Sequence, residues 1–384
     1  MNKNYYGYHK ISRDDKKEVL KALSDKLITK GRYVYKFENE IKKITKSKYS
    51  SVCNNGTSAL YLAIKSLNLK KNSYVLIPSI NFLASSNVCR ILGYKIIFVD
   101  VEPSTGLVSP EIFQETLNYC LKKKIKPKLF LPQFHAGQCY DAKKIFNIAK
   151  KKKIFVIEDA CHAFGSFYKY KNKYPIGSCK YSNATTFSFH PVKNITTGEG
   201  GAITTNSKKI NNFINCFKNH GMIKKNNKSF PYTLNFSGLN FRISDINCAL
   251  GVSQIKKIRK IFNYKKNLFN YYKKKLQIIS SIKILEQNKF CDPLWHLFII
   301  FLKFESFSKK NKLINFLDKN KIGTQVHYIP VYKHKIFSKS LNPSKAGADK
   351  FFKQSLSLPF HLDINKKDID FIIKKIKYGI ENIT

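Results

Sequence analysis

The apolar and polar positions of this chain fall into two rhythms. Residues 14–26 (DDKKEVLKALSDK) and 37–46 (FENEIKKITK) repeat their apolar side chains roughly every three to four positions, which predicts two amphipathic helices. From residue 50 onward, short β-branched and aromatic runs take over: SSVCNN, YVLIP, KIIFVDV, KLFLP, IFVIEDA, ATTFSF and AITT. Helical stretches intervene at 59–67, 80–92 and 140–151. Strands alternating with helices of this length form βα units. The pattern therefore predicts an α/β protein with a mostly parallel, seven-stranded sheet.

The rhythm changes again after AITT. A Lys/Asn-rich stretch precedes LNFRISDINCALGVSQI, in which Ser244 and Asp245 read as caps of the helix that follows. Residues 254–276 predict one long basic helix leading out of the large domain. Farther on, the strands shorten and amphipathic helices dominate. The expected division is a large domain over 1–255, with 1–48 as its N-terminal segment, and a smaller α+β domain over 256–384.

Composition narrows the function classes. Apolar residues make up 43% of the chain, enough for a sizeable core, yet no apolar run approaches the roughly 18 residues of a membrane span. The first residues lack the apolar stretch of a secretion signal, so the expected location is the cytoplasm, with no membrane partner. Nine dispersed cysteines without a CxxC pair predict reduced thiols, and no metal-ligand spacing such as HExxH occurs. The formal charge of +46 invites a nucleic-acid reading. Against it, only five of the 70 basic residues are arginine, the preferred reader of phosphate and guanine. The lysine runs at 122–128 and 150–153 follow expected helices and read as solvated faces, so no specific nucleic-acid partner is expected.

Candidate chemistry gathers at the strand ends. HPVKNITTGEGG, residues 190–201, sits between two strand-like runs and lifts Lys193 into a Gly-rich turn. A lysine there can form a Schiff base with a carbonyl compound when burial or neighbours disfavour its charge. A lysine-rich chain also places some lysines beside glycine by chance. EDACHAFG, residues 158–165, puts two carboxylates at the end of an apolar strand, where a buried carboxylate needs a partner. A pyridinium N–H would serve, and so would a helix cap or a structural ion pair. Gly56, Thr57 and Ser58 open a helix and make a candidate anion site, although Thr and Ser cap ordinary helices too. The GK[ST] of a nucleotide loop and the GxGxxG of a dinucleotide site are absent. Phe82, His135, Asp159 and Lys193 all fall just beyond strand ends, where parallel sheets collect ligands.

In order along the chain, NNGTSALYLAI, EDACHAFGS, FSFHPVKNITTGEGGAITTN, LNFRISDINCALGVSQI and VHYIPVY resemble the DegT/DnrJ/EryC1/StrS family of sugar-nucleotide aminotransferases. The resemblance covers residues 5–362 and implies the aspartate-aminotransferase-like fold type I, with pyridoxal 5'-phosphate as cofactor. Lys193 would carry the cofactor and shuttle the proton, and Asp159 would keep the pyridine nitrogen protonated. Gly56, Thr57 and Ser188 would bind the phosphate, while Phe82 and His162 would pack on the ring. Asn240 would reach the phosphate of a neighbouring subunit, in a homodimer with shared active sites. Tyr5, Tyr6, Trp295, His296, His327 and Tyr328 would line the sugar-nucleotide side. Some relatives replace the lysine with histidine and are dehydratases, so Lys193 argues for amino transfer, with glutamate as the expected donor. The segment KYKNKYPI, residues 169–176, is longer than in the family and predicts a surface hairpin. The implied substrate is a UDP-linked 4-keto-6-deoxy-N-acetyl hexose on the way to pseudaminic acid. Precursors of the GDP-perosamine, UDP-aminoarabinose or legionaminate type are alternatives, as is a non-catalytic regulatory or polyanion-binding role on the same fold.

Overall fold

In the computed structural model, which describes residues 5–224, 231–303 and 306–383, the chain begins with helices α1 (Arg13–Leu23) and α2 (Arg32–Thr45). Strand β1 (Tyr49–Cys53) and helix α3 (Gly56–Lys65) follow. The predicted alternation comes next: β2 (Tyr74–Pro78), α4 (Leu83–Ile91), β3 (Lys95–Val99), α5 (Pro110–Lys122), β4 (Leu129–Phe130), α6 (Ala142–Lys151) and β5 (Phe155–Asp159). A hairpin, β6 (Phe167–Lys169) and β7 (Lys173–Pro175), precedes β8 (Ala184–Ser188) and β9 (Gly201–Thr205). That hairpin is the one expected over 169–176, with Lys169 paired to Lys173.

The large sheet has seven strands in the order β1-β9-β8-β5-β4-β2-β3. β8, β5, β4, β2 and β3 run parallel, and β9 is antiparallel to both of its neighbours. Val75, Leu76, Ile77, Val156 and Ile157 are fully buried, as the near-continuous apolar runs of a sheet covered on both faces require. Of the KLFLP run Leu129 and Phe130 form the strand proper, and the flanking Lys128 and Leu131 still donate to Tyr74 O and Leu76 O at 2.9 and 3.0 Å.

Beyond the sheet lie α7 (Lys208–Phe217), β10 (Met222–Lys224), β11 (Tyr232–Leu234), α8 (Asp245–Ile255) and α9 (Ile258–Leu276). The single helix expected over 254–276 is therefore two, broken at Lys256 and Lys257. Lys257 Nζ is held 2.7 Å from Asp15 Oδ1 of α1, which pins the break. Ser244 caps α8 as expected, accepting from Asn247 N at 3.2 Å. Asp245 instead serves α2: its carboxylate accepts from Gly31 N and Tyr33 N, both at 2.8 Å. Gly31, the residue at the N-cap of α2, has no side chain to do this itself.

The remaining elements are β12 (Ile282–Ile284), β13 (Cys291–Asp292), β14 (Phe298–Leu302), α10 (Phe307–Lys319), α11 (Ala346–Gln354), β15 (Ser355–Leu358) and α12 (Lys366–Ile383). β12, β14 and β15 form a second, antiparallel sheet, and β13 joins the β6–β7 hairpin. All nine cysteines are free thiols. No described helix is long and apolar enough to cross a membrane.

Candidate active site

The parallel strands end on one cleft of about 440 Å³, closed on its far side by His296, Gln325, His327 and Tyr328 from later in the chain. β5 delivers two consecutive carboxylates to this region, and they face opposite ways because strand side chains alternate. Asp159 lines the cleft and accepts from Ser85 Oγ at 2.9 Å and from Cys161 N at 3.3 Å. Glu158 is fully buried away from it, in a cage of hydroxyls. It accepts from Tyr168 and Thr185 at 2.7 Å, from Ser182 at 2.8 Å and from Tyr140 at 3.3 Å. Burial raises the Glu158 pKa, and those four donors act against the rise. One carboxylate therefore belongs to the core and the other to the cleft.

Lys193 comes from the turn between β8 and β9. Its threonines and glycines shape the loop: Thr196 Oγ1 donates to Phe189 O at 3.0 Å, and Thr197 Oγ1 to Glu199 O at 2.7 Å. Gly198 needs its freedom, at φ +78°. Lys193 itself is half-buried in the cleft wall. Burial lowers its pKa from the ordinary lysine value, with Cys161 and Asp159 pulling the other way.

Gly56, Thr57 and Ser188 meet at one corner of the cleft. Asn55 caps α3, accepting from Ser58 N at 2.8 Å, so neither Thr57 nor Ser58 is the cap. The amides of Gly56 and Thr57 have no intrahelical partner at that position. A side chain at Gly56 would bring its Cβ within 2.8 Å of Ser188 Cβ, so only glycine keeps this corner open.

The opposite wall is aromatic and imidazole-rich. Tyr328 hydroxyl lies 3.0 Å from His162 Nε2, and the His162 and His296 rings are 4.3 Å apart. His162 Nδ1, His296 Nδ1 and Gln133 Oε1 are buried without a partner in the protein, and all three residues line the cleft. Burial first, and the nearby Lys193 second, hold His162 and His296 well below the ordinary histidine pKa. Phe82 lines the cleft with its ring 5.8 Å from Tyr328, and Tyr6 does so 5.3 Å from His327.

Three expected site residues lie elsewhere. Trp295 is a correction: its ring stacks on Phe269 at 3.9 Å in the core, because it points opposite to its cleft-facing neighbour His296. Tyr5 is exposed, stacked 6.2 Å from Tyr8, outside the cleft lining. Asn240 is exposed and absent from the cleft of its own chain. In the other direction, Ser85, Gln133 and Cys161 belong to the site and were not foreseen. Ser85 follows Phe82 by one helical turn, which is the signal that could have found it.

This architecture, with a lysine turn and an aspartate on adjoining strand ends, defines the fold-type-I class of pyridoxal-phosphate-dependent aminotransferases. The chain belongs to the DegT/DnrJ/EryC1/StrS aminotransferase family, which matches it over residues 9–377. It is 34% identical to the UDP-4-amino-4,6-dideoxy-N-acetyl-beta-L-altrosamine transaminase of Campylobacter jejuni, across 97% of this chain and 98% of that one. It is 28% identical to the GDP-perosamine synthase of Escherichia coli O157:H7, across 95% of each. The solved structure of Helicobacter pylori PseC, an aminotransferase involved in the biosynthesis of pseudaminic acid, superposes with a TM-score of 0.91 over 100% of both chains, at 27% identity. The cleft fits the family's cofactor, offering a glycine-only corner with free amides for a phosphate and unpartnered polar atoms beside Lys193.

Proposed function

We propose that this enzyme transfers an amino group from glutamate to C4 of a UDP-linked 4-keto-6-deoxy-N-acetyl hexose. The sugar product is then a UDP-linked 4-amino-4,6-dideoxy-N-acetyl-altrosamine, and the other product is 2-oxoglutarate. The observation that carries the reading is that Lys193 and Asp159 face one cleft beside the glycine-only corner at Gly56. Gly56, Thr57 and Ser188 would hold the phosphate, Asp159 the pyridine nitrogen, and Phe82 and His162 the ring. When bound, pyridoxal phosphate supplies an electron sink for charge developing on the carbons that exchange the amino group. Lys193 moves the proton between Cα of the donor and C4 of the sugar, and its lowered pKa keeps more of its amine neutral and able to accept that proton. Asp159, fixed by Ser85, would hold positive charge on the pyridine nitrogen. Tyr6, His296, His327 and Tyr328 form the wall on which the sugar would lie.

The exposed Asn240 supports a homodimer in which it completes the partner's phosphate site. It follows Tyr232, Leu234 and Leu239, all exposed, on a surface well suited to a second copy. The reading is tested by adding glutamate and then UDP- or GDP-linked 4-keto sugars to the purified protein. Glutamate should bleach the cofactor's visible colour, and the UDP-linked sugar should restore it. Lys193→Ala should lower turnover by roughly 10³ or more while cofactor stays bound. A wild-type rate in that variant would sink the assignment of Lys193, and preference for the GDP-linked sugar would sink the substrate.

A further inference from the structure

The end of the large sheet opposite the cleft carries a different chemistry. β2, β3, β4 and β5 are parallel, so all four enter the sheet at that end and leave it toward the cleft. Backbone hydrogen bonds hold the entering residues in one row. Lys95 N donates to Ser73 O at 3.0 Å, Lys128 N to Tyr74 O at 2.9 Å, and Phe155 N to Lys128 O at 2.9 Å. The turns feeding this row, residues 67–73, 91–95, 121–128 and 150–154, contain twelve lysines and no aspartate or glutamate. Every one of the twelve is exposed.

Helices α4, α5 and α6 also finish here, and lysines near helix C-termini complement the helix dipole. That accounts for one or two lysines per helix. It does not account for twelve without a countercharge, in a chain that carries 24 acidic residues elsewhere. The same end exposes large apolar side chains among the lysines: Ile91 at 74%, Leu121 at 73% and Phe155 at 39%.

We propose that this end of the sheet is a docking face for an anionic lipid bilayer. The lysines would meet lipid phosphates, and Ile91, Leu121 and Phe155 would dip into the interfacial layer. The twelve cations of these turns are lysine, and the one arginine beside them, Arg90, donates to Ile336 O at 3.1 Å, so the planar fork that favours nucleic-acid phosphates and bases is scarce here. A peripheral contact of this kind needs no membrane span, so it differs from the sequence-based expectation of no membrane partner. Strand direction then aims the catalytic cleft away from the membrane, open to soluble substrates.

The test uses the cofactor-loaded, full-length protein and sedimentation with vesicles. Phosphatidylserine–phosphatidylcholine vesicles should carry the protein down, increasingly so as salt is lowered, and phosphatidylcholine alone should not. Lys122, Lys123, Lys151 and Lys152 are changed together to Glu in one variant. Lys266, Lys273, Lys274 and Lys374 are changed to Glu in a control of equal net charge. The first should lose at least about tenfold in vesicle affinity and the control little, with aminotransferase activity unchanged in both. Leu121→Ser should further weaken the binding that survives added salt. Equal losses in the two charge variants would show that total charge alone does the binding and would overturn the proposal. So would pelleting with phosphatidylcholine alone, or tighter binding to a single-stranded RNA than to the anionic vesicles.

Discussion

Lys265 Nζ donates to Asn194 Oδ1 at 2.9 Å, one residue along the chain from Lys193, and both side chains are buried. Asn194 Nδ2 in turn donates to Leu294 O at 3.2 Å. A lysine on α9 thus fastens the turn that presents Lys193 to the segment that presents His296. The Phe360 ring lies 5.4 Å from its amine, and the His361 and His296 imidazoles are near enough to feel its charge. No sequence motif announces it.

Burial pushes Lys265 down to about 7 from the ordinary lysine value of 10.5. The unfolded chain therefore binds a proton that the folded chain lacks between those two values, so this group's contribution to stability rises with pH across that window. Below about pH 7 its cost is present in full, and above 10.5 it vanishes. Denaturant unfolding at pH 7 and pH 10 should show Lys265→Met gaining on the wild type at the lower pH, by about 1.4 kcal/mol per pH unit separating the measurements. A stability difference that does not change with pH would mean that Lys265 is charged in the fold.

Glu158 and Asp159 should fail differently. Glu158→Gln removes the charge that four hydroxyls address, and should cost about 2 kcal/mol of stability, with the folded fraction still active. Asp159→Asn should leave the melting temperature nearly unchanged and abolish amino transfer. Thermal melts and single-turnover colour changes on the same preparations separate the two. An active Asp159→Asn, or a fully stable but inactive Glu158→Gln, would reverse the assignment.

Acid should unfold this protein through its histidines. Burial lowers His135 to about 4 and His327 to about 3, whereas unfolded histidine titrates near 6.5. The unfolded chain binds the extra protons below about pH 6.5, so stability present above that value is lost progressively as pH falls toward the folded values. His135→Gln should make the slope of stability between pH 6 and 5 shallower by about one proton. An unchanged slope would mean that His135 is already charged in the fold. His135 Nε2 lies 3.0 Å from His327 O, so the substitution also probes the loop that carries Tyr328.

Much of the scaffold was legible because it is local. The YVLIP run is β2 residue for residue, and the positions of Lys193 and Asp159 follow from where their strands stop. What escaped is long-range pairing or facing. Ser85 reaches Asp159 across 74 positions, and Lys265 reaches Asn194 across 71. Asp245 looks like a cap for its own helix and is one for α2, because Gly31 there lacks a side chain. Trp295 sat beside a cleft residue in sequence, and neighbours along an extended chain point apart. Periodicity identifies elements, but it does not say which distant atom will satisfy a buried amine or carboxylate.

The back-to-back placement of Glu158 and Asp159 also limits how this strand can change through descent. Inserting or deleting one residue in β5 would turn each carboxylate to the opposite face of the strand, so neither the hydroxyl cage nor the cleft would keep the partner it has now. An exchange of Val156 or Ile157 for another apolar side chain leaves both carboxylates where they are. The composition of this strand is therefore free to drift, while its length is held by two charges that tolerate no exchange of places.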